Sequence, residues 1–92
     1  MYKITWSKRF KKQFQKISKN PLFKRDIFEA IVNSLAHGKE LDIKYHDHGL
    51  KGDLSGYREC HIQPDVLLVY RKENKMMLIV FVKIGSHSDL FR

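Results

Sequence analysis

Residues 57–71 read YRECHIQPDVLLVYR, and this stretch predicts two β-strands joined by a tight turn. The first predicted strand is Tyr57–Ile62, and from Glu59 onward polar and apolar side chains alternate in it, as they do in a half-buried strand. A second apolar run covers Val66–Arg71, and the turn-forming Gln63-Pro64-Asp65 lies between the two runs. The pattern indicates a hairpin, in which the two strands pair in antiparallel fashion.

Two more strands and a loop are predicted outside this hairpin. Met76–Ile84 is a further apolar strand, reached through a turn at Glu73-Asn74. At the N-terminus, Tyr2 and Ile4 alternate with polar residues and predict a short first strand. Residues 41–56 follow neither period and contain three glycines, which is typical of a loop.

Two helices are predicted between the first strand and the loop. Ser7 can cap the first helix, and a second helix is predicted to begin with Asn20 as cap and Pro21 in its first position, and to end at Gly38. The first helix has one apolar face, with residues spaced four, four and three apart: Trp6, Phe10, Phe14 and Ile17. Helices separated by so short a break form an antiparallel hairpin.

The predicted fold is therefore α+β, in the order β-α-α-β-β-β, within one domain that spans residues 1–92. The helical hairpin packs on one face of a mostly antiparallel sheet. The other face is expected to stay partly open.

Charge narrows the possible partners. Eighteen Lys and Arg against ten Asp and Glu give a net charge of +8, which favours a polyanion: nucleic acid first, an acidic protein second, an anionic membrane third. The longest apolar run, Met76–Val82, is far shorter than the ~20 residues of a membrane span. No signal peptide is apparent, and Cys60, the only cysteine, is interpreted as a core residue. We expect a cytoplasmic protein.

The predicted topology lets four candidate catalytic residues converge: His48, His61, Asp65 and His87. The last strand should run back to the Gln63-Pro64-Asp65 turn, so that residues 85–87 emerge beside it. Imidazoles with a carboxylate suit acid–base cleavage of RNA, in which the 2′-hydroxyl attacks the adjacent phosphate. Each residue also has an ordinary structural explanation, such as an exposed strand end or, for Asp65, a turn. A metal site at His46-Asp47-His48 is a weaker interpretation, because no cysteine pair accompanies it.

Three ordered segments resemble the YafQ-type toxins of the RelE/ParE superfamily. Residues 46–52 (HDHGLKG) are similar to the family element DH-x-L-x-G. Residues 56–65 (GYRECHIQPD) are similar to YR-[DE]-x-H-[IV]-x-P-D, and residues 85–91 (GSHSDLF) to the ending GTH/GSH…LF. The resemblance covers essentially the whole chain and implies a RelE-like fold.

The resemblance implies a ribosome-dependent endoribonuclease that cuts mRNA in the decoding site without a metal or other cofactor and leaves a 2′,3′-cyclic phosphate. It also implies a cognate antitoxin, with DNA binding only by the toxin–antitoxin complex on its operator. His87 is expected as general acid, Asp65 or His48 as base, and His61 as an orienting group. The expected substrate-binding residues are Lys51, Arg58, Lys83 and Phe91, and Phe91 would stack on a base.

Two departures from the family and two alternatives remain. Lys83 stands where many relatives have arginine, so the charge is kept but the planar, bidentate contact with phosphate is lost. Stabilisation of the transition state by Lys83 is then expected to be weaker, or to be shared with Arg58 or Arg71. Val66 stands where some relatives have tryptophan, which removes a stacking contact. A ParE-like inhibitor of DNA gyrase would need no histidine cluster. A non-catalytic RNA-binding module would need only the basic surface and Phe91.

Overall fold

A computed structural model describes residues 1–90, which form a five-stranded mixed sheet with two helices packed on one face. The sheet order is β1-β5-β4-β3-β2, with β1 parallel to β5 and every other pair antiparallel. The elements are β1 Lys3–Trp6, α1 Lys8–Ile17, α2 Arg25–Ala36, β2 His48–Gly49, β3 Arg58–Gln63, β4 Val66–Glu73, β5 Leu78–Gly85 and α3 His87–Leu90. The predicted α+β class and helical hairpin are confirmed.

The start of the second helix was predicted wrongly. Asn20 does accept from a backbone amide with its side chain, but the donor is Leu22 and the product is a turn. Helix α2 begins only at Arg25. The intervening segment is held by β3, since the Gln63 amide accepts from the Lys24 backbone and donates to the Leu22 carbonyl. This long-range tie outweighs the local preference of an Asn-Pro pair to start a helix.

The start of the first helix agrees with the prediction. The Ser7 hydroxyl accepts from the backbone N–H of Phe10 at 3.0 Å and caps α1. Phe10 is fully buried and contacts the rings of Trp6, Phe28 and Phe81. The aromatic side chains of the hairpin therefore form the core between the helices and the sheet.

The two faces of the sheet differ. One packs against α1 and α2 through a large core that includes Cys60, Tyr70 and Ile79. The opposite face has a smaller cluster of Leu67, Val69 and Leu90, to which α3 contributes Leu90. This second face is only partly covered, as the sequence predicted. No helix within residues 1–90 is long and apolar enough to span a membrane.

Strand register decides which candidate residues share that second face. His48 on β2 pairs with Glu59 on β3, Glu59 pairs with Val69 on β4, and Val69 pairs with Lys83 on β5. Directly paired residues project to the same side of a sheet. A bulge between Val69 and Tyr70 keeps Lys83 in this row rather than turning it toward the helices.

Candidate active site

A buried carboxylate stands between two of the predicted catalytic histidines. Oε1 of Glu59 lies 3.7 Å from Nε2 of His48 and 3.7 Å from Nε2 of His61. His48 is the cross-strand partner of Glu59, and His61 follows it by two residues on the same face. The Glu59 side chain is only 9% exposed, against 51% for His48 and 32% for His61. The carboxylate can therefore orient both imidazoles from below while their rings remain accessible.

His46 supports this arrangement with its backbone and its ring. Nδ1 of His48 lies 2.7 Å from the His46 carbonyl oxygen, and because a carbonyl only accepts, Nδ1 of His48 is the donor. Nε2 of His48 is then the nitrogen left to exchange a proton in the neutral ring. The His46 ring meets the His61 ring edge-on, with 5.4 Å between centroids. His46 has a left-handed backbone (φ 51°) that brings its carbonyl to this position.

Asp47 is directed away from the histidines, toward the helix-covered side of the sheet. Its carboxylate accepts from the Tyr70 hydroxyl at 2.7 Å and from Nη2 of Arg58 at 3.1 Å. The hydrogen bond with Asp47 raises the pKa of Arg58. The pKa of Tyr70 is also raised, mainly by burial and secondly by the hydrogen bond with Asp47. The hydrogen bonds of Asp47 to Arg58 on β3 and Tyr70 on β4 therefore attach the loop that contains His46 and His48 to these two strands.

A cleft of about 760 Å³, here called the histidine cleft, opens beside the two imidazoles. Its polar lining includes Lys24, Lys44, Tyr45, His46, His48 and His61. The described residues that line it include no aspartate or glutamate. The cleft thus combines proton-transfer groups, an aromatic ring and two cations, which suits a phosphate-bearing substrate.

Asp65 lies in a neighbouring cavity of about 570 Å³, here called the turn cavity, which it lines together with Lys16, Ser86 and Asp89. Gln63 lines both cavities and forms the wall between them. Its amide is fixed by the hydrogen bonds to Leu22 and Lys24 described above. The structure therefore brings His48 and His61 together and sets Asp65 across the wall from them.

The chain end reaches the same end of the sheet, as predicted. Gly85 pairs with Leu67, and Leu67 pairs with His61, so β5 finishes two strands from His61. His87 is exposed at the start of α3, just beyond this point. Lys83 donates to the Leu90 carbonyl at 3.4 Å and lies two strands from Glu59, roughly 10 Å at normal strand spacing.

The other predicted substrate-binding residues lie in different surroundings. Arg58 is paired with Asp47 on the helix-covered side and does not line the histidine cleft. Lys51 is exposed in the loop after β2. Phe91 lies outside the described residues.

The sequence did not predict Glu59 as a member of the site, and it predicted His46 only as a possible metal ligand together with Asp47 and His48. Glu59 lies inside an alternating strand, and a charged residue that shares a strand face with a candidate histidine could have signalled it. His46 stands outside the family element that begins at Asp47, and only the folded loop places its ring on His61.

Comparison with known proteins identifies the chain's relatives. The sequence model of a family described as "Bacterial toxin of type II toxin-antitoxin system, YafQ" matches residues 2–92. The mRNA interferase toxin YafQ of Escherichia coli K12 is 43% identical over 47 residues, which are 51% of this chain and 49% of that protein. The chain thus aligns with about half the length of this curated relative.

Solved structures agree over the whole fold. A metal-bound toxin from Helicobacter pylori superposes with a TM-score of 0.91 at 42% identity, covering 99% of this chain and 100% of the other. A chain in the E. coli DinJ–YafQ complex superposes with a TM-score of 0.85 at 28% identity, covering 100% of this chain and 100% of that one.

Proposed function

The chain belongs to the YafQ family of toxins from bacterial type II toxin–antitoxin systems, and we propose on this basis that it is an endoribonuclease that cleaves mRNA. Two relatives bear the name mRNA interferase toxin. The observation that carries the proposal is the pair of accessible imidazoles, His48 and His61, held on the buried carboxylate of Glu59.

The proposed reaction is attack of an RNA 2′-hydroxyl on the adjacent phosphorus, with departure of the 5′-oxygen. His48 removes the 2′-proton through Nε2, and Asp65 is the alternative base on the other side of the Gln63 wall. His87 donates a proton to the leaving 5′-oxygen. His61 orients the phosphate, and Lys83 adds positive charge on the same face of the sheet. The products are a 2′,3′-cyclic phosphate and a free 5′-hydroxyl.

A second surface supports docking on the ribosome. Helix α1 carries five cations and no acidic residue over its ten positions: Lys8, Arg9, Lys11, Lys12 and Lys16. All five are exposed, and within residues 1–90 none takes part in an ion pair. An unneutralised row of this kind attracts the phosphate backbone of ribosomal RNA. We therefore propose that cleavage depends on the ribosome.

An antitoxin is the second proposed partner. A solved E. coli DinJ–YafQ structure with this fold is described as a toxin–antitoxin complex. By analogy, a cognate antitoxin binds this chain and blocks its activity, and the complex rather than the toxin alone binds the operator DNA.

The proposed reaction assigns no step to a metal ion. Two similar toxin structures from Helicobacter pylori were solved with a metal bound, and in one of them the metal is copper. In this chain, residues 1–90 include no group of three or more His, Cys, Asp and Glu residues arranged to hold a metal. Asp47, the carboxylate nearest in sequence to His46 and His48, is directed instead at Arg58 and Tyr70.

The test is a purified translation system in which a defined mRNA is incubated with the protein and the product ends are determined. Cleavage that needs ribosomes and leaves 2′,3′-cyclic phosphate and 5′-hydroxyl ends is the expected result. Intact mRNA together with inhibited DNA gyrase would replace this proposal with the gyrase-directed alternative. Antitoxin co-expressed with the toxin should suppress the cleavage.

A further inference from the structure

The histidine cleft is lined by two lysines to which the proposed reaction assigns no role. Within this cleft, His48 and His61 have roles in the proposed reaction, whereas Lys24 and Lys44 line the same cleft and have none. Neither lysine takes part in an ion pair within the described part of the chain. Both charges therefore remain available to a ligand.

Both lysines are held in place by their backbones. The Lys24 N–H donates to Oε1 of Gln63 at 2.7 Å, which ties the residue to β3. The Lys44 N–H donates to the side chain of Asp42 at 3.0 Å, which caps the 3₁₀ turn Ile43–Tyr45. The Lys44 ammonium also lies over the Tyr45 ring, 5.3 Å from its centroid. Each cation thus projects from an ordered segment at the rim of the cleft.

The two cavities on either side of Gln63 differ in charge. The turn cavity is lined by the carboxylates of Asp65 and Asp89 as well as by Lys16. The histidine cleft is lined by two lysines and three histidines. The carboxylate that contacts two of these histidines, Glu59, is only 9% exposed and is not among the described lining residues. From a scissile phosphate held at His48 and His61, the next phosphate should lie further along the histidine cleft and not in the turn cavity, where the carboxylates of Asp65 and Asp89 would repel it.

We propose that Lys24 and Lys44 form a phosphate subsite that binds the RNA phosphate adjacent to the scissile one. The proposal rests on the ribonuclease function proposed above and adds a second contact for the same substrate. A volume of about 760 Å³ is large enough for more than one phosphate group. The subsite binds substrate and takes no part in proton transfer.

The test uses 2′-O-methyl dinucleotides, which lack the attacking hydroxyl and cannot be cleaved by this route. Three forms are titrated against the full-length protein: one without a terminal phosphate, one with a 5′-phosphate and one with a 3′-phosphate. One of the phosphorylated forms should bind about 3- to 10-fold more tightly than the unphosphorylated form, as expected for a partly exposed charge contact. The form that gains affinity identifies the direction of the strand.

Substitution of the two lysines then tests whether they cause the higher affinity for the dinucleotide with a terminal phosphate. In the double variant Lys24→Gln and Lys44→Gln the advantage of the terminal phosphate should disappear. The control is Lys75→Gln, which removes an exposed charge in the turn between β4 and β5 and should keep the advantage. Circular dichroism checks that every variant is folded.

Three outcomes overturn the subsite. These are no dinucleotide binding by the unmodified protein, no gain from either terminal phosphate, and a gain that survives in the double variant. Ribosome-dependent cleavage is measured in parallel with the unmodified protein. If cleavage is present, any of the three outcomes contradicts the subsite and does not affect the proposed function. If cleavage is absent, the proposed function itself is contradicted.

Discussion

The hydroxyl of Tyr70 donates a 2.7 Å hydrogen bond to the carboxylate of Asp47 and thereby joins the core of the sheet to the loop before β2. Tyr70 is 1% exposed, so its hydroxyl has no alternative partner in bulk water. Asp47 is flanked in sequence by His46 and His48, which line the histidine cleft. Loss of this one hydrogen bond should therefore both destabilise the core and disturb the positions of His46 and His48 in the candidate active site.

Tyr70→Phe is expected to destabilise the protein by about 1–2 kcal/mol, because a buried hydrogen bond to a charged acceptor is lost while Arg58 still pairs with Asp47. Cleavage should also decrease as the loop loosens. Denaturant unfolding measures the first effect. Tyr2→Phe is the matched control, since it removes an exposed bond to Asn74 and should cost less. Equal losses in the two variants would contradict the anchoring role of Tyr70.

Glu59→Gln is expected to lower mRNA cleavage by about 10- to 100-fold, because two imidazoles lose the charge that orients them. Glu59 is a positioning residue, so the ring-nitrogen NMR signals of His48 and His61 should change with it. Glu59→Asp should recover part of the activity because the charge is kept. The control Glu73→Gln breaks an exposed ion pair with Arg71 and should alter neither readout. Unchanged imidazole signals in Glu59→Gln would show that Glu59 does not position His48 and His61.

His87→Ala is expected to lower cleavage by about 10²–10⁴-fold, the usual contribution of a general acid. His87 is exposed, so the thermal unfolding curve should change little. His37→Ala is the control, because His37 is also exposed but follows α2, where its ring hydrogen-bonds to the Asn33 carbonyl. Full activity in His87→Ala would transfer the acid role to another residue.

Replacing Lys8, Lys11 and Lys12 of α1 with Gln is expected to raise the ribosome concentration needed for half-maximal cleavage and to leave the rate at saturation unchanged. These residues lie on one side of the helix, at spacings of three and four. Each lost phosphate contact should lower the slope of log affinity against log salt by about 0.7–0.9. A control with Lys3, Lys39 and Lys75 replaced by Gln removes the same charge from other exposed positions. Equal effects in both triple variants would indicate net charge rather than a docking surface.

Stability is expected to fall at alkaline pH because of Cys60 and Tyr70. Burial raises the pKa of the Cys60 thiol above its ordinary 9.0, and burial with the Asp47 bond raises that of Tyr70 above 10.0. Above pH 9 the unfolded chain therefore loses protons that the folded protein retains, so the free energy of unfolding decreases as pH rises. The slope is at most about 1.4 kcal/mol per pH unit for each group.

Urea unfolding at pH 7 to 11 measures this decrease. Cys60→Ala should be less stable at pH 7, because it leaves a small cavity, and should show a shallower decline from pH 9 upward. An identical slope in the variant and the unmodified protein would show that Cys60 does not contribute.

The local sequence determined the strands of the hairpin, the Ser7 cap and the apolar faces that place the helices on the sheet. Each of these depends on side-chain period or on a contact within a few residues. The return of β5 to the turn after β3 also followed from the sequence, because short connections force antiparallel neighbours. That topology was enough to predict that residues 85–87 come near the Asp65 turn, as the pairing of Gly85 with Leu67 confirms.

Only the tertiary structure decided what each polar side chain faces. Residues far apart in the chain meet through cross-strand pairing and loop closure: His48 with Glu59, Lys24 with Gln63, and Tyr70 with Asp47. As a result, α2 begins at Arg25 and not near Asn20, and Arg58 pairs with Asp47. Asp65 lies on the other side of Gln63 from the histidines. Periodicity specifies which face of a strand a residue occupies, but its partner on that face depends on register, which is fixed only when the whole sheet packs.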